Sequence, residues 1–114
     1  MPVESLAIGQ LNGQDVLVSG SWDAAVRIWG ADGKPLLNLT DHAADVWAVA
    51  IGRLNDEDVV VSGGRDGVIL WNGEGVPIGT LTTNEVNAIA VGRFNRQDVI
   101  ATGGKDIRIW TRGV

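Results

Sequence analysis

The only histidine, His42, is the side chain with the clearest potential for acid–base chemistry. A general base needs a nucleophile to activate, and no serine occupies a recognisable strand–turn–helix elbow. The chain has no cysteine, which excludes thiolate chemistry and thiolate metal sites. We therefore predict no catalytic residue and a protein that is not an enzyme.

Three aspartates, Asp15, Asp58 and Asp98, follow short polar turns and resemble one another in context. A calcium loop needs several alternating oxygen ligands, and the turn residues 12–15 supply too few. Glycine pairs such as residues 63–64 lead into a strand-like run rather than a helix, so no phosphate-binding loop is indicated. We expect the aspartates to make turn and loop hydrogen bonds, with no metal and no cofactor.

A repeat of about forty residues organises the chain. The segment AIGQLN at 7–12 returns 43 residues later as AIGRLN and a further 40 residues on as AVGRFN. The agreement continues through three aspartate–valine pairs, three hydroxyl–glycine pairs and the tryptophans Trp29, Trp71 and Trp110. Repeats of this length are typical of small structural units that bury their apolar faces against one another.

Each unit is predicted to contain short strands separated by turns. First strands are expected at 5–11, 48–54 and 88–94, and second strands at 16–19, 59–62 and 99–102. A third strand ends at each repeated tryptophan, and a fourth follows at 36–40 and 78–82, so the last unit is expected to lack its fourth strand. Apolar runs such as 59–61 indicate sheets buried on both faces, which favours sheets stacked around an axis, as in a propeller.

Composition and charge narrow the class of protein. Hydrophobic residues make up 45% and charged residues 20%, as in a soluble globular domain. The net charge of −5 argues against nucleic acid as a partner. No apolar stretch is long enough to favour a membrane partner, and the first residues do not form a signal peptide. Together with the absence of cysteine, these features lead us to expect a cytoplasmic protein.

The segment SGSWDAAVRIW at 19–29 closely resembles the WD-repeat family. The shared pattern is a small hydroxyl residue, a glycine, an aspartate in a turn and an alternating strand that closes on tryptophan. Three units carry it in register, over nearly the whole chain. The resemblance implies an all-β fold of propeller blades, each a four-stranded antiparallel sheet. About three blades are expected per chain, near 3–42, 43–83 and 84–114, within one array spanning 1–114.

In this family a buried hydrogen-bonded tetrad ties each blade together. The resemblance assigns the complete set of histidine, hydroxyl residue, turn aspartate and tryptophan to the second unit, as His42, Ser62, Asp66 and Trp71. The incomplete sets are Ser19, Asp23 and Trp29 in the first unit and Thr102, Asp106 and Trp110 in the third. The interval from aspartate to tryptophan shrinks from six to five to four residues, so the later hairpins are expected to be tighter.

Partner-binding positions on the top face of such propellers lie before the turn aspartate and beside the valine that opens the first strand. The resemblance carries these positions over to Trp22, Arg65, Lys105, Glu4, Asp45, Trp47, Glu85 and Asn87. If Trp22 and Trp47 reach one surface, an aromatic patch flanked by Arg65 and Asp45 would suit a peptide. The alternative is that each tryptophan packs locally on its own loop.

Three blades are fewer than the four to eight that typically close a propeller. We therefore expect the ring to be closed by oligomerisation, through head-to-tail contacts between copies. Two copies would give six blades and three copies nine, and the dimer is favoured because six lies in the usual range. The predicted function is a self-assembling scaffold with a top face for a protein or peptide. The alternative is an excised or engineered fragment of a longer WD-repeat regulatory protein whose propeller recognises a peptide.

Overall fold

Eleven β-strands account for most of residues 2–111, the part of the chain that the computed structural model describes. The last positions of the predicted third unit, 112–114, lie outside these described residues. The strands are β1 Val3–Leu11, β2 Gln14–Ser21, β3 Val26–Gly30, β4 Pro35–Leu39, β5 Val46–Leu54, β6 Glu57–Gly64, β7 Gly67–Asn72, β8 Pro77–Thr82, β9 Ala88–Phe94, β10 Gln97–Gly103 and β11 Ile107–Thr111.

The strands form three separate antiparallel sheets in chain order. Sheet 1 contains β1–β4, sheet 2 contains β5–β8, and sheet 3 contains β9–β11. Every strand pairs with its sequence neighbour, so each sheet is a simple meander. The predicted all-β fold of antiparallel sheets is confirmed, and β4 and β8 begin at Pro35 and Pro77, as suits the first position of an outer strand.

Two-residue turns join the first and second strands of every sheet. Asn12 and Gly13 both have positive φ, 52° and 78°, which is the turn type whose twist matches a hairpin. Residues 55–56 and 95–96 adopt the same conformation without glycine. This turn fixes the register in which Leu11 faces Gln14, and the same register recurs at Leu54 and Phe94.

The core lies between the sheets. One cluster joins Val18, Val26 and Ile28 of sheet 1 to Val46 and Trp71 of sheet 2. A second cluster joins the other face of sheet 2 to sheet 3 and includes Leu54, Val61, Val68, Val86 and Ile100. Sheet 2 is therefore covered on both faces, as its continuous apolar run 59–61 predicts.

The described residues contain no helix that is long and apolar enough to cross a membrane.

Candidate functional site

A buried hydrogen-bond network ties sheet 2 together. The indole Nε1–H of Trp71 donates to the Ser62 hydroxyl at 2.8 Å, and that hydroxyl lies 2.6 Å from Nε2 of His42. Nδ1 of His42 lies 2.8 Å from a carboxylate oxygen of Asp66, so this nitrogen carries the proton that it donates. Ser62 then donates to Nε2 of His42. Every polar atom in this series of hydrogen bonds, from the Trp71 indole to the Asp66 carboxylate, has a partner. The structure thus brings together the four residues assigned to the complete tetrad.

Asp66 also holds the loop that carries the histidine. Its second carboxylate oxygen accepts the backbone N–H of Ala43 at 2.7 Å. Burial raises the pKa of the Asp66 carboxyl, but the hydrogen bonds from His42 and Ala43 outweigh burial and leave that pKa below its ordinary value. The carboxylate is therefore ionised at neutral pH and pins the loop before β5 to the turn before β7.

The first sheet keeps only part of this arrangement. Trp29 donates to the Ser19 hydroxyl at 3.1 Å. Asp23 bonds instead with the Ser21 hydroxyl and with the Arg27 guanidinium, the latter at 2.6 Å. Arg27, followed by Ser21, holds the pKa of the Asp23 carboxyl well below its usual range. The turn aspartate is thus satisfied by an arginine four residues on, a pairing that the sequence analysis missed.

The third sheet is similar in outline. Trp110 donates to the Thr102 hydroxyl at 3.1 Å. Asp106 lies in the short turn between β10 and β11, and its side chain is 72% exposed. One of its carboxylate oxygens is 3.7 Å from Nε of Arg108 in β11. Four residues from aspartate to tryptophan leave that carboxylate on the surface, consistent with the expected tighter hairpin.

A cleft of about 770 Å³ opens between the loops of sheets 2 and 3. Four of the predicted top-face residues line it together: Trp47, Glu85, Asn87 and Lys105. Arg108 and the loop 82–86 complete much of the wall. The cleft therefore combines an aromatic ring with charged groups of both signs, a composition that suits recognition of a peptide segment.

Arg65 extends this surface from the side of sheet 2. Its guanidinium carbon lies 5.5 Å from the centre of the Trp47 ring, and one of its nitrogens lies 3.8 Å from the Asp45 carboxylate. Stacking on the ring and pairing with the carboxylate both restrict the arginine side chain. Asp45, Arg65 and Trp47 thus form one cluster beside the cleft. Trp47 belongs both to this cluster and to the cleft lining.

Trp22 lies outside the lining of that cleft, in the turn between β2 and β3, and its side chain is 52% exposed. Its backbone N–H bonds to the Pro2 carbonyl at 3.2 Å, as that of Arg65 bonds to the Asp45 carbonyl at 3.3 Å. Trp22 and Arg65 therefore occupy equivalent positions in successive sheets. Glu4, on exposed β1, likewise lies outside the cleft lining. A joint patch of Trp22 and Trp47 stays a prediction.

Two of the three repeated aspartates connect neighbouring sheets. A carboxylate oxygen of Asp58 accepts the backbone N–H of Asn12 in sheet 1 at 2.7 Å, and Asp98 accepts that of Asn55 in sheet 2 at 2.9 Å. Sequence analysis identified the repeat and the hydrogen-bonding role but not the partner, because the pattern does not say which tip lies opposite. Residues 2–111 contain no cluster of three or more histidine, aspartate or glutamate side chains placed to hold a metal ion.

Comparison with known proteins gives the arrangement a context. The sequence pattern of the family described as WD domain, G-beta repeat matches residues 2–30 and 33–72. Among solved structures, that of U3-55K, a WD-repeat protein, superposes with a TM-score of 0.76 at 25% sequence identity. The superposition covers 96% of this chain but 34% of the other, so this chain spans about a third of that protein's length. No curated protein sequence matches this chain.

Proposed function

We propose that this chain, which belongs to the WD-repeat family, is a non-enzymatic scaffold whose copies close a β-propeller and present the cleft beside Trp47 to a peptide or protein. WD-repeat domains are in general interaction scaffolds. Each of the three sheets corresponds to a propeller blade. The absence of cysteine suits a reducing compartment, and we propose the cytoplasm as its location.

The observation that carries self-assembly is the exposure of both ends of the stack. Val26 and Val68, at the same place in blades 1 and 2, are 0% exposed, whereas their counterpart Ile107 in blade 3 is 81% exposed. At the other end, Val3 is 56% exposed although its counterpart Val46 is fully buried. Each end is thus one half of an interface that is buried twice inside the chain. Uncovered apolar faces of this kind are driven by water against a partner.

The cleft beside Trp47 supports the binding half of the proposal. Trp47, Asn87 and Lys105 line the cleft between the loops of blades 2 and 3. The Arg65 guanidinium lies over the Trp47 ring, 5.5 Å from its centre, so the aromatic and cationic groups are adjacent on this surface. Tryptophan and arginine are among the residue types that contribute most to affinity in protein interfaces.

A second possibility is that the chain is an excised or engineered piece of a longer WD-repeat regulatory protein. The coverage of about a third of the U3-55K chain favours it. In that case the end faces would pack against further blades of the same polypeptide, and the propeller as a whole would recognise the peptide.

Light scattering on the purified chain separates these possibilities. An assembling scaffold gives one sharp mass that is a whole multiple of 12.0 kDa, with the six-bladed dimer favoured over the nine-bladed trimer. A piece of a longer propeller gives several oligomer masses at once, none of which becomes dominant as the concentration rises. A compact, stable monomer at all concentrations would refute self-assembly.

A further inference from the structure

Glycines on one face of each blade receive a branched side chain from the next blade. A Cβ built on Gly9 of blade 1 would lie 2.6 Å from a methyl group of Ile51 in blade 2, and one built on Gly52 would lie 2.6 Å from a methyl of Val91 in blade 3. The missing side chains of Gly9 and Gly52 thus leave a hollow on each blade, which Ile51 or Val91 of the next blade fills. In blade 3 the equivalent residue is Gly92, where a built Cβ meets nothing within 4 Å.

The side chain that matches this empty hollow lies at the other end of the chain. By the repeat, Ile8 of blade 1 corresponds to Ile51 and Val91, and it is 83% exposed. A second pair repeats the relationship. A Cβ on Gly20 would lie 2.6 Å from Val46, whereas the equivalent Gly103 meets only Ala88 of its own blade. The residue that corresponds to Val46 at the open end is the exposed Val3.

A polar contact repeats in the same register. Asp58 and Asp98 each accept the backbone N–H of the hairpin tip on the preceding blade, from Asn12 and Asn55. Asp15 holds the corresponding position in blade 1 and is exposed, with Gln10 of its own hairpin donating to it at 3.0 Å. Asn95 forms the tip of the last blade and is also exposed.

We infer that the C-terminal end face of one copy, Gly92, Gly103 and the Asn95 tip, receives Ile8, Val3 and the Asp15 carboxylate of a second copy. The inference rests on the proposed self-assembly and specifies its geometry. The contact is head to tail, in the register of the two interfaces inside the chain, with Ile8 packed on Gly92. The backbone N–H of Asn95 donates to Asp15. The two ends are different surfaces, so a face-to-face dimer would leave Ile8 opposite Ile8 and the Gly92 hollow unfilled.

Single cysteines test the register, because the natural chain contains none. Chains carrying Ile8→Cys and Gly92→Cys are purified separately, mixed and oxidised. A disulfide requires Cβ atoms about 3.5–4.5 Å apart, so it reports close approach only. We expect a covalent dimer from the mixture and at least about tenfold less from either variant alone. The double variant Gly9→Cys with Ile51→Cys is the matched control, since it places the same pair of residue types across an interface within one chain.

The outcomes distinguish the geometry from the self-assembly itself. Dimers from Ile8→Cys alone would show a face-to-face contact and overturn the inference. An assembly that scatters as an oligomer while the mixed cysteines stay reduced and the control pair closes would also overturn it, leaving self-assembly in place. A chain that scatters as a monomer would instead refute the proposed self-assembly.

A second variant removes the dependence on disulfide chemistry. Gly92→Val adds a side chain where the single chain has open space, so folding should be unaffected, but the hollow would be filled. We expect the dissociation constant of the assembly to rise about tenfold or more. Gly79→Val is the control, because Gly79 also has nothing within 4 Å and lies on the outer strand β8. Equal affinities for the two variants would count against the inference.

Discussion

The carboxylate of Asp58 in blade 2 accepts the backbone N–H of Asn12 in blade 1 at 2.7 Å, and this bond joins the tips of two neighbouring blades. Asp98 and Asn55 repeat the bond at 2.9 Å between blades 2 and 3. Asn12 is the first residue of a two-residue turn, outside the strand pairing of its own hairpin, and its N–H donates to the neighbouring blade instead. This directional, charge-assisted bond acts together with the fit of Ile51 on Gly9 in setting where one blade lies on the next.

Replacing Asp58 should weaken the stacking of blades 1 and 2. Asp58→Ala removes an acceptor whose side chain is 14% exposed, so we expect the free energy of unfolding to fall by about 1–2 kcal/mol. Asp15→Ala is the matched control at the same position of blade 1, and in dilute monomeric samples it should change stability little. Urea titrations followed by tryptophan fluorescence measure both, and equal losses would contradict the inter-blade role.

Ser62 is the central residue of the buried tetrad, because its hydroxyl forms hydrogen bonds with both Trp71 and His42. Ser62→Ala leaves the indole N–H and the imidazole Nε2 buried without partners. At about 1–3 kcal/mol for each of the two orphaned groups, we expect a loss of about 2–6 kcal/mol. Ser19→Ala orphans only the half-buried Trp29 and should cost about 1 kcal/mol or less. Thermal or urea unfolding of the two variants checks the difference, which would vanish if the tetrad were inert.

Asp66 contributes to the pH dependence of stability, beside Asp23, whose pKa is also lowered. The pKa of Asp66 in the folded chain lies below the ordinary value of 3.8 because the His42 and Ala43 hydrogen bonds outweigh the effect of burial. A lowered folded pKa contributes stability that is complete above the unfolded pKa and is lost as pH falls through the folded value. We therefore expect wild-type stability to decline as the pH falls below about 4, and to decline less steeply in Asp66→Asn. Urea midpoints between pH 7 and pH 2.5 measure both slopes, and parallel curves would exclude Asp66 as the titrating group.

Peptide binding should depend on the surface around Trp47. Peptides selected from a phage-displayed random library on the wild-type chain should bind Trp47→Ala at least about tenfold more weakly, as expected for an aromatic anchor. Val76→Ala is the control, since Val76 is also exposed but lies in the turn before β8, outside the cleft. Selected peptides that bind both variants equally well would place the binding surface elsewhere.

The spacing of particular residues accounts for how far sequence analysis reached. The repeated Gly, Asp and Trp positions predicted the meander of each blade, and the observed strands extend the predicted ones by only a few residues, as at Val3 and Val46. His42, Ser62, Asp66 and Trp71 lie together because all four types were present at family spacing. Asp23 was assigned to an incomplete tetrad by the same spacing. Because the first unit has no histidine, the Asp23 carboxylate pairs with the Arg27 guanidinium instead.

Sequence analysis did not predict the individual contacts between neighbouring blades. The Asp58–Asn12 bond and the fit of Ile51 on Gly9 join residues more than forty positions apart, and neither residue type alone marks such a pairing. The signal was nevertheless present, because Gly9, Gly52 and Gly92 recur at identical positions of the repeat. A glycine in the middle of every first strand costs conformational entropy, which indicates close approach of another surface.

The central claim is that the two ends of the stack cover each other, and native mass spectrometry of wild type beside Ile8→Asp tests it most directly. The substitution places a charge on the exposed residue of the N-terminal end face. We predict that micromolar wild type appears as one species at a whole multiple of 12.0 kDa, while Ile8→Asp appears at 12.0 kDa and remains folded. A wild-type chain that is itself a stable, folded 12.0 kDa monomer at the same micromolar concentration would contradict the account.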